Sequence, residues 1–180
     1  YPRYETRRAG CPIGLELLAS ELVAQEFNVI FVDACMVAYD QYTPQLNGTV
    51  RYGLTDEQLE RVLANFNPDI VGITSLFSNQ ADNVEQVARL VKRVYPNTII
   101  AEGGSHASGD VNEVLKSSWV DMVIREEGLV TFPELCQSIE SKQSSQNFTT
   151  VLGVSFKDKN GVIIHNHSRP FIPVFEVLAP

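Results

Sequence analysis

Apolar and polar positions change period several times along this chain, and each change marks an element. From Pro12 onward, Leu15, Leu17, Leu18, Leu22 and Val23 form an apolar helical face against Glu16, Glu21 and Gln25. Asn28–Val32 is a short apolar run of strand composition, closed by Asp33-Ala34. Ala34–Tyr52 follows no period and is rich in aromatics. Thr55 then reads as an N-cap, with Glu57 and Gln58 in the first turn of a helix carrying Leu59, Val62, Leu63 and Phe66. Asp69–Ile73 is a second strand. Val84, Val87, Ala88, Val91 and Val94 recur at helical spacing until Pro96-Asn97 breaks the pattern, and Thr98–Ala101 is a third strand. Gly109–Ser117 reads as a short helix, Val120–Ile124 as a fourth strand, and Leu129–Ile139 as a helix with Phe132, Leu135 and Ile139 on one face. Ser141–Thr149 has linker composition. Val151–Phe156 and Val162–His165 flank Asp158-Lys159-Asn160-Gly161, an Asn-Gly hairpin signal.

Strands alternating with helices at this spacing predict an α/β fold, a doubly wound Rossmann-like (flavodoxin-like) sheet that is mostly parallel, with a C-terminal β-hairpin. The centre of it is Pro68–His106, a strand–loop–helix–strand–loop unit long enough for a right-handed crossover. Both strands deliver their loops to one edge, the carboxyl edge where doubly wound sheets bind ligands. Gly103-Gly104 there lets backbone approach a bulky group with no Cβ in the way. Yet the chain opens on a helix. A doubly wound domain normally feeds that helix from a strand, so a first strand is expected to be missing, leaving a gap one strand wide between Asn28–Val32 and Asp69–Ile73. Residues 1–142 read as the α/β domain and 143–180 as linker, hairpin and a proline-punctuated tail.

Composition narrows the class. The 180 residues, 44% hydrophobic and 20% charged, suit one soluble domain with a substantial core. A formal net charge of -8 argues against a nucleic-acid surface, and the basic cluster Arg3, Arg7 and Arg8 reads as a solvated loop. Cys11, Cys35 and Cys136 are too scattered for a disulfide framework, a zinc site or an iron–sulfur site, and suggest a reducing, cytoplasmic home. No apolar run approaches the roughly 18 residues of a membrane span, and no signal-peptide pattern opens the chain. The N-x-S/T triplets at Asn47, Asn147 and Asn166 read as chance.

Thr74-Ser75-Leu76 after one strand and Gly103-Gly104 after the next resemble the cobalamin-binding domain, which pairs a Ser-x-Leu type loop with Gly-Gly a helix apart. Thr74 stands where the family has serine, a hydroxyl for a hydroxyl. The resemblance narrows to the domain at the N-terminus of radical SAM enzymes. Cys11-Pro12-Ile13-Gly14-Leu15 is similar to that group's Pro-Pro-Leu-Gly-Leu. Pro68–Ser75, Gly103-Gly104-Ser105-His106-Ala107 and Arg125-Glu126-Glu127-Gly128 are similar to its later blocks, in order. The resemblance implies a module that holds cobalamin for methyl transfer or a related reaction. A separate barrel, reached through the tail, would carry the iron–sulfur cluster and S-adenosylmethionine, and its Cys-x-x-x-Cys-x-x-Cys motif is absent here. The implied cofactor-binding set is Pro12, Ile13, Gly14, Thr74, Ser75, Leu76, Gly103, Gly104, Ser105, His106, Glu127 and Gly128. Small and hydroxyl-bearing residues suit a slot for the nucleotide tail, since bulk blocks it and its polar atoms need partners.

Two departures bear on this. Tyr1–Gly10 has no histidine, so the Asp-x-His-x-x-Gly motif of other cobalamin domains assigns no lower cobalt ligand here; the radical SAM group commonly lacks that histidine too, which is compatible with cobalamin. Glu126 and Leu129 stand where the group more usually has Gly and Glu, making the third loop bulkier. A degenerate domain, kept for substrate recognition or as an interface without cobalamin, is the alternative within the fold. A receiver-like signalling domain is a third, disfavoured because Asp33 is the lone well-placed acid. Individually, His106 reads as a local hydrogen-bonder against a group facing the corrin or binding a metal, Glu126-Glu127 as residues serving a helix N-terminus against an acid/base pair, and Ser78 or Asn79 as a helix cap. His165 and His167 read as a solvated strand end. Tyr39, Tyr42 and Tyr52 are either a lid or loop packing.

Overall fold

The computed structural model describes residues 12–45, 48, 50–141 and 147–171. The chain runs α1 (Ile13–Ala24), α2 (Ala34–Val37), β1 (Tyr42–Pro44), β2 (Val50–Tyr52), α3 (Asp56–Ala64), β3 (Ile70–Thr74), α4 (Ala81–Val94), β4 (Ile99–Gly103), α5 (Ser105–Gly109), α6 (Val111–Val114), β5 (Met122–Ile124), α7 (Gly128–Glu140), β6 (Val154–Lys157) and β7 (Ile163–His165). Single 3₁₀ turns cover Ser78–Gln80 and Asn147–Thr150. The main sheet has the order β3-β4-β5-β6-β7. The first three strands are parallel and the last two return antiparallel as the expected hairpin.

Local chemistry explains the boundaries. Thr55 Oγ1 accepts from the Gln58 amide while Gln58 Oε1 accepts from the Thr55 amide at 2.8 Å, a complete capping box for α3. Asp33 Oδ1 accepts from the Cys35 and Met36 amides and starts α2 in the same way. On α4, Val84, Ala88, Leu90 and Val91 are buried, and Lys92 and Arg93 occupy the last turn, where cations favour the helix dipole. Asp158 Oδ1 accepts from the Asn160 and Val162 amides, and Gly161 takes a positive φ to close the β6–β7 turn.

Two clusters sandwich the sheet. Ala101, Met122, Ile124, Val154 and Phe156 meet Leu22 of α1 and Phe132, Leu135 and Cys136 of α7 on one face. Ile100 and Val123 meet Ala88 and Val91 of α4, Ala107, Val114 and Leu115 on the other. Gln137 in the last turn of α7 donates to Gln25, just past the end of α1, so the two helices lie side by side and run the same way. Both therefore begin near the carboxyl edge of the parallel strands.

Several expectations need correction. Asn28–Val32 is not a strand: it joins no ladder among the described residues, and the gap expected between it and Ile70–Thr74 is not bridged by hydrogen bonds. Its apolar composition finds no adjacent edge, and strand formation requires one. Val23 is exposed, so the inner face of α1 is narrower than its sequence implies. The 34–52 stretch is not wholly irregular but holds α2 and a small β1–β2 hairpin, with Tyr42 and Tyr52 rings 6.5 Å apart. The helix expected over 109–117 is only the short α6, Val111–Val114; a separate helix that was not expected, α5, ends at Gly109, and Asp110 between them has a non-helical φ of -136°. Neither Ser78 nor Asn79 caps a helix through its side chain; Glu127 does occupy the N-cap of α7, as expected of a residue at a helix N-terminus, but makes no side-chain capping bond there.

Candidate functional site

The carboxyl edge of β3, β4 and β5 is built from three interlocked loops. Thr74 and Gly103 face each other at the last rung of the β3–β4 ladder, and Gly103 pairs onward with Ile124. The chain then crosses itself: the Ser75 amide donates to Gly103 O at 2.7 Å, and the His106 amide donates to Ser75 O at 3.1 Å. Gly104 makes this crossing possible. Its φ is +104°, and a Cβ there would lie 2.5 Å from Ser75 O.

The two faces of this edge differ in chemistry. Side chains alternate along a strand, so Gly72 and Thr74 share the face covered by α1 and α7. Phe132 of α7 presses directly over Gly72, where a Cβ would meet its ring at 3.0 Å. Beyond that ring, Thr74 and Gly103 leave a wall of one hydroxyl and one bare backbone. At Gly103 a Cβ would meet only Ile124 at ordinary contact distance, and at Gly14 and Gly128, in the first turns of α1 and α7, nothing lies within 4 Å. The opposite face carries Ser75 and Glu102. Ser75 Oγ is buried and has no hydrogen-bond partner of ordinary geometry among the described residues. Glu102 is only 4% exposed, under α4 and α5. Burial pushes its carboxyl pKa up; the Ser75 hydroxyl and His106 pull the other way, and Glu85 adds to the rise.

Around the rim, Leu76 and Phe77 are exposed, Phe77 by 63%, an unusual place for a phenyl ring. Ser78 Oγ sits 3.2 Å from His106 Nδ1, so His106 is a local hydrogen-bonder here. Ser105 is exposed. At the third loop Glu126 takes φ +61° and its amide donates to Ser108 Oγ at 3.0 Å. Arg125 bonds Asn166 O and Ser168 Oγ, tying that loop to the segment after β7. Glu127 and Gly128 are half-buried, as is Pro12; Ile13 and Gly14 are exposed. Thr74, Ser75, Gly103, Gly104 and His106 thus form one connected unit by hydrogen bond, register or close approach. Among the described residues no hydrogen bond joins Pro12, Ile13 or Gly14 to that unit. Sequence reasoning passed over Glu102, whose signal was a carboxylate ending the apolar run Ile99-Ile100-Ala101. Among the described residues no group of three or more His, Cys, Asp or Glu could hold a metal ion, and no helix is long and apolar enough to cross a membrane.

The family model of the B12 binding domain matches residues 7–136. The chain belongs to the B12 binding domain family. It is 31% identical to cytidylyl-2-hydroxyethylphosphonate methyltransferase of Streptomyces wedmorensis over 99% of this chain and 33% of that protein. It is 30% identical to an uncharacterized methyltransferase of Pyrococcus horikoshii over 91% of this chain and 31% of that one. The chain therefore spans about a third of the length of these curated relatives. Among solved structures, the radical S-adenosylmethionine methyltransferase TsrM of Kitasatospora setae, with tryptophan and a SAM analogue bound, superposes with a TM-score of 0.70. It shares 14% identity, over 88% of this chain and 28% of that one. The cobalamin-dependent radical enzyme OxsB, with aqua-cobalamin and S-adenosylmethionine bound, gives 0.66 at 18% identity, over 89% and 20%. At these identities the structures establish the shared Rossmann-like fold of a B12 binding domain.

Proposed function

We propose that this chain holds cobalamin at the carboxyl edge of β3, β4 and β5, as one module of a cytoplasmic radical SAM methyltransferase or a related enzyme. Residues 1–142 would form the cofactor module. Residues 143–180 would lead toward a barrel carrying the iron–sulfur cluster and S-adenosylmethionine. The observation that carries this reading is the Thr74–Gly103 rung. A hydroxyl beside a bare backbone, on the face where α1 and α7 begin with Gly14 and Gly128, fits a flat polar-edged group that must enter edge-on. Thr74 would donate to or accept from the nucleotide tail, and Gly103 would let it lie against the strand. Leu76 and Phe77 would cover the corrin face, which the apolar character of both suits. Ser105, His106, Glu127 and Gly128 would form the rim. Cobalamin itself would supply the methyl carrier; the chain's own part is to bind, orient and shield it.

Titration of the purified protein with hydroxocobalamin, followed by visible absorption, tests the reading. A saturable one-to-one spectral change is expected. Gly103→Val should weaken it on the order of 100-fold, the cost of blocking a fitted pocket. The space beside Gly103 accepts a Cβ, and a thermal melt of the variant checks that the two further methyls leave the fold intact. No spectral change with folded protein would overturn cobalamin binding and leave a domain retained for recognition.

A further inference from the structure

The chain leaves β7 as a segment, Asn166–Arg169, that belongs to no helix or strand. The β6–β7 pairing first runs on past its end. The Asn166 amide donates to Val154 O at 3.0 Å, and the Gly153 amide donates to His167 O at 2.8 Å. Gly153 O in turn accepts from the Arg125 amide at 2.9 Å, which backs the segment onto the third loop. Side chains close the contact from both directions. Arg125 donates to Asn166 O and to Ser168 Oγ, and Ser168 Oγ donates to Glu126 Oε1 at 3.4 Å. Arg169 crosses to α7, where Nε donates to Thr131 Oγ1 at 2.9 Å and Nη2 pairs with Glu134 Oε2. Thr131 and Glu134 lie one turn apart on the face of α7 just behind Gly128. The Arg169 side chain is 8% exposed, and a guanidinium so buried stays where its forked donors are met.

The loop held in this way has an unfavourable backbone. Glu126 takes φ +61°, a region that a non-glycine residue keeps only where its surroundings fix it. Its amide donates to Ser108 Oγ on one side, and its Oε1 accepts from Ser168 Oγ on the other. We propose that Asn166–Arg169 is a strap, in which Ser168 and Arg169 are positioning residues that act through Glu126 to set the Glu127–Gly128 rim for cobalamin. With the strap fastened, Glu127 and Gly128 stay presented at the carboxyl edge. With it released, Glu126 relaxes to negative φ and the rim turns away. Strap and ligand favour one loop conformation, so each strengthens the other by the same factor. Pro170 and Phe171 follow directly, so the strap also joins the rim to the tail.

The ligand's part in this rests on the cobalamin reading, so one arm of the test does without it. Amide hydrogen exchange without cofactor is compared in wild type, Arg169→Met and the milder Ser168→Ala. Protection at Glu126 and Gly153 should fall about tenfold in Arg169→Met, with a smaller change or none at Val123 in the central strand β5. Unchanged protection at Glu126 and Gly153, or an equal fall at Val123, overturns the strap. Should Arg169→Met not fold, the same comparison in Ser168→Ala decides. The second arm is hydroxocobalamin affinity, read by visible absorption. Arg169→Met should weaken binding about tenfold, within the usual range of coupling between sites. Adding Glu126→Gly should restore most of that loss, because glycine keeps a positive φ without the strap. A purely structural role for Arg169 would not be rescued in this way. Loss without rescue, or no loss, overturns the positioning role. Absence of binding by wild type would sink the cobalamin reading, while the exchange result still decides the strap.

Discussion

Ile99–Gly103 and Asn28–Val32 have similar strand composition and opposite fates. In β4, Ile100 is 0% exposed, with β3 and β5 on either side and a hydrophobic cluster on each face. In the earlier run Ile30 and Phe31 remain 45% and 42% exposed. Val29 and Phe31 line an open groove of about 430 Å³ with Ala19, Ser20, Val23 and Ala24 of α1. The difference is in the neighbours. A strand sequence is a surface able to pair and pack; a ladder partner and a covering helix turn it into a strand. The candidate site lies wholly on the side where both exist.

The sharpest way to break this comparison is to truncate one residue in each run. Ile100→Ala should cost about 2–5 kcal/mol, the range for a fully buried aliphatic side chain. Ile30→Ala should stay within about 0.5 kcal/mol, as for exposed positions. Urea denaturation of both variants measures the pair. An equal loss at Ile30 would mean that 28–32 is packed against a further strand in the working protein.

Glycines give the next contrast. Gly104→Ala combines a positive φ with a Cβ driven into Ser75 O, and should cost on the order of 3 kcal/mol. Gly14→Ala, inside α1 with open space around it, should stabilise by about 0.5–1 kcal/mol through helix propensity. Thermal melts of the two should move in opposite directions. A neutral Gly104→Ala would show that the Ser75 crossing is not fixed.

Much of this architecture was legible in the sequence, for identifiable reasons. The parallel unit was readable because β3, α4 and β4 each carry an unbroken period and are punctuated by Thr74, Pro96 and Gly103. The capping box at Thr55 and the turn at Asn160-Gly161 were equally local. What was not legible depended on long-range partners. Nothing in NVIFV says whether a strand lies beside it. Nothing in Val23 says that α7 meets α1 along the Leu18 and Leu22 side instead. At the site, Gly103-Gly104 announced close backbone approach, but the approaching group at Gly104 is Ser75 of the same chain. Glu102 was hidden because one charge at a strand end normally reaches solvent, and only α4 and α5 folded over it prevent that.

The smallest effect separates the thiols of the two regions. Cys136 lies in the cluster beneath α7, and burial pushes its pKa up to about 12. At pH 8 about one molecule in 10⁴ then carries the thiolate, so native labelling has to wait for α7 to open. Cys35, in the short helix α2 on the less covered side, is half-buried. A maleimide pulse at pH 8, mapped by peptide mass spectrometry, should modify Cys35 and leave Cys136 untouched until denaturant is added. Equal rates at both would mean that α7 does not rest on the sheet, and would remove the Phe132 wall that bounds the slot beside Thr74 and Gly103.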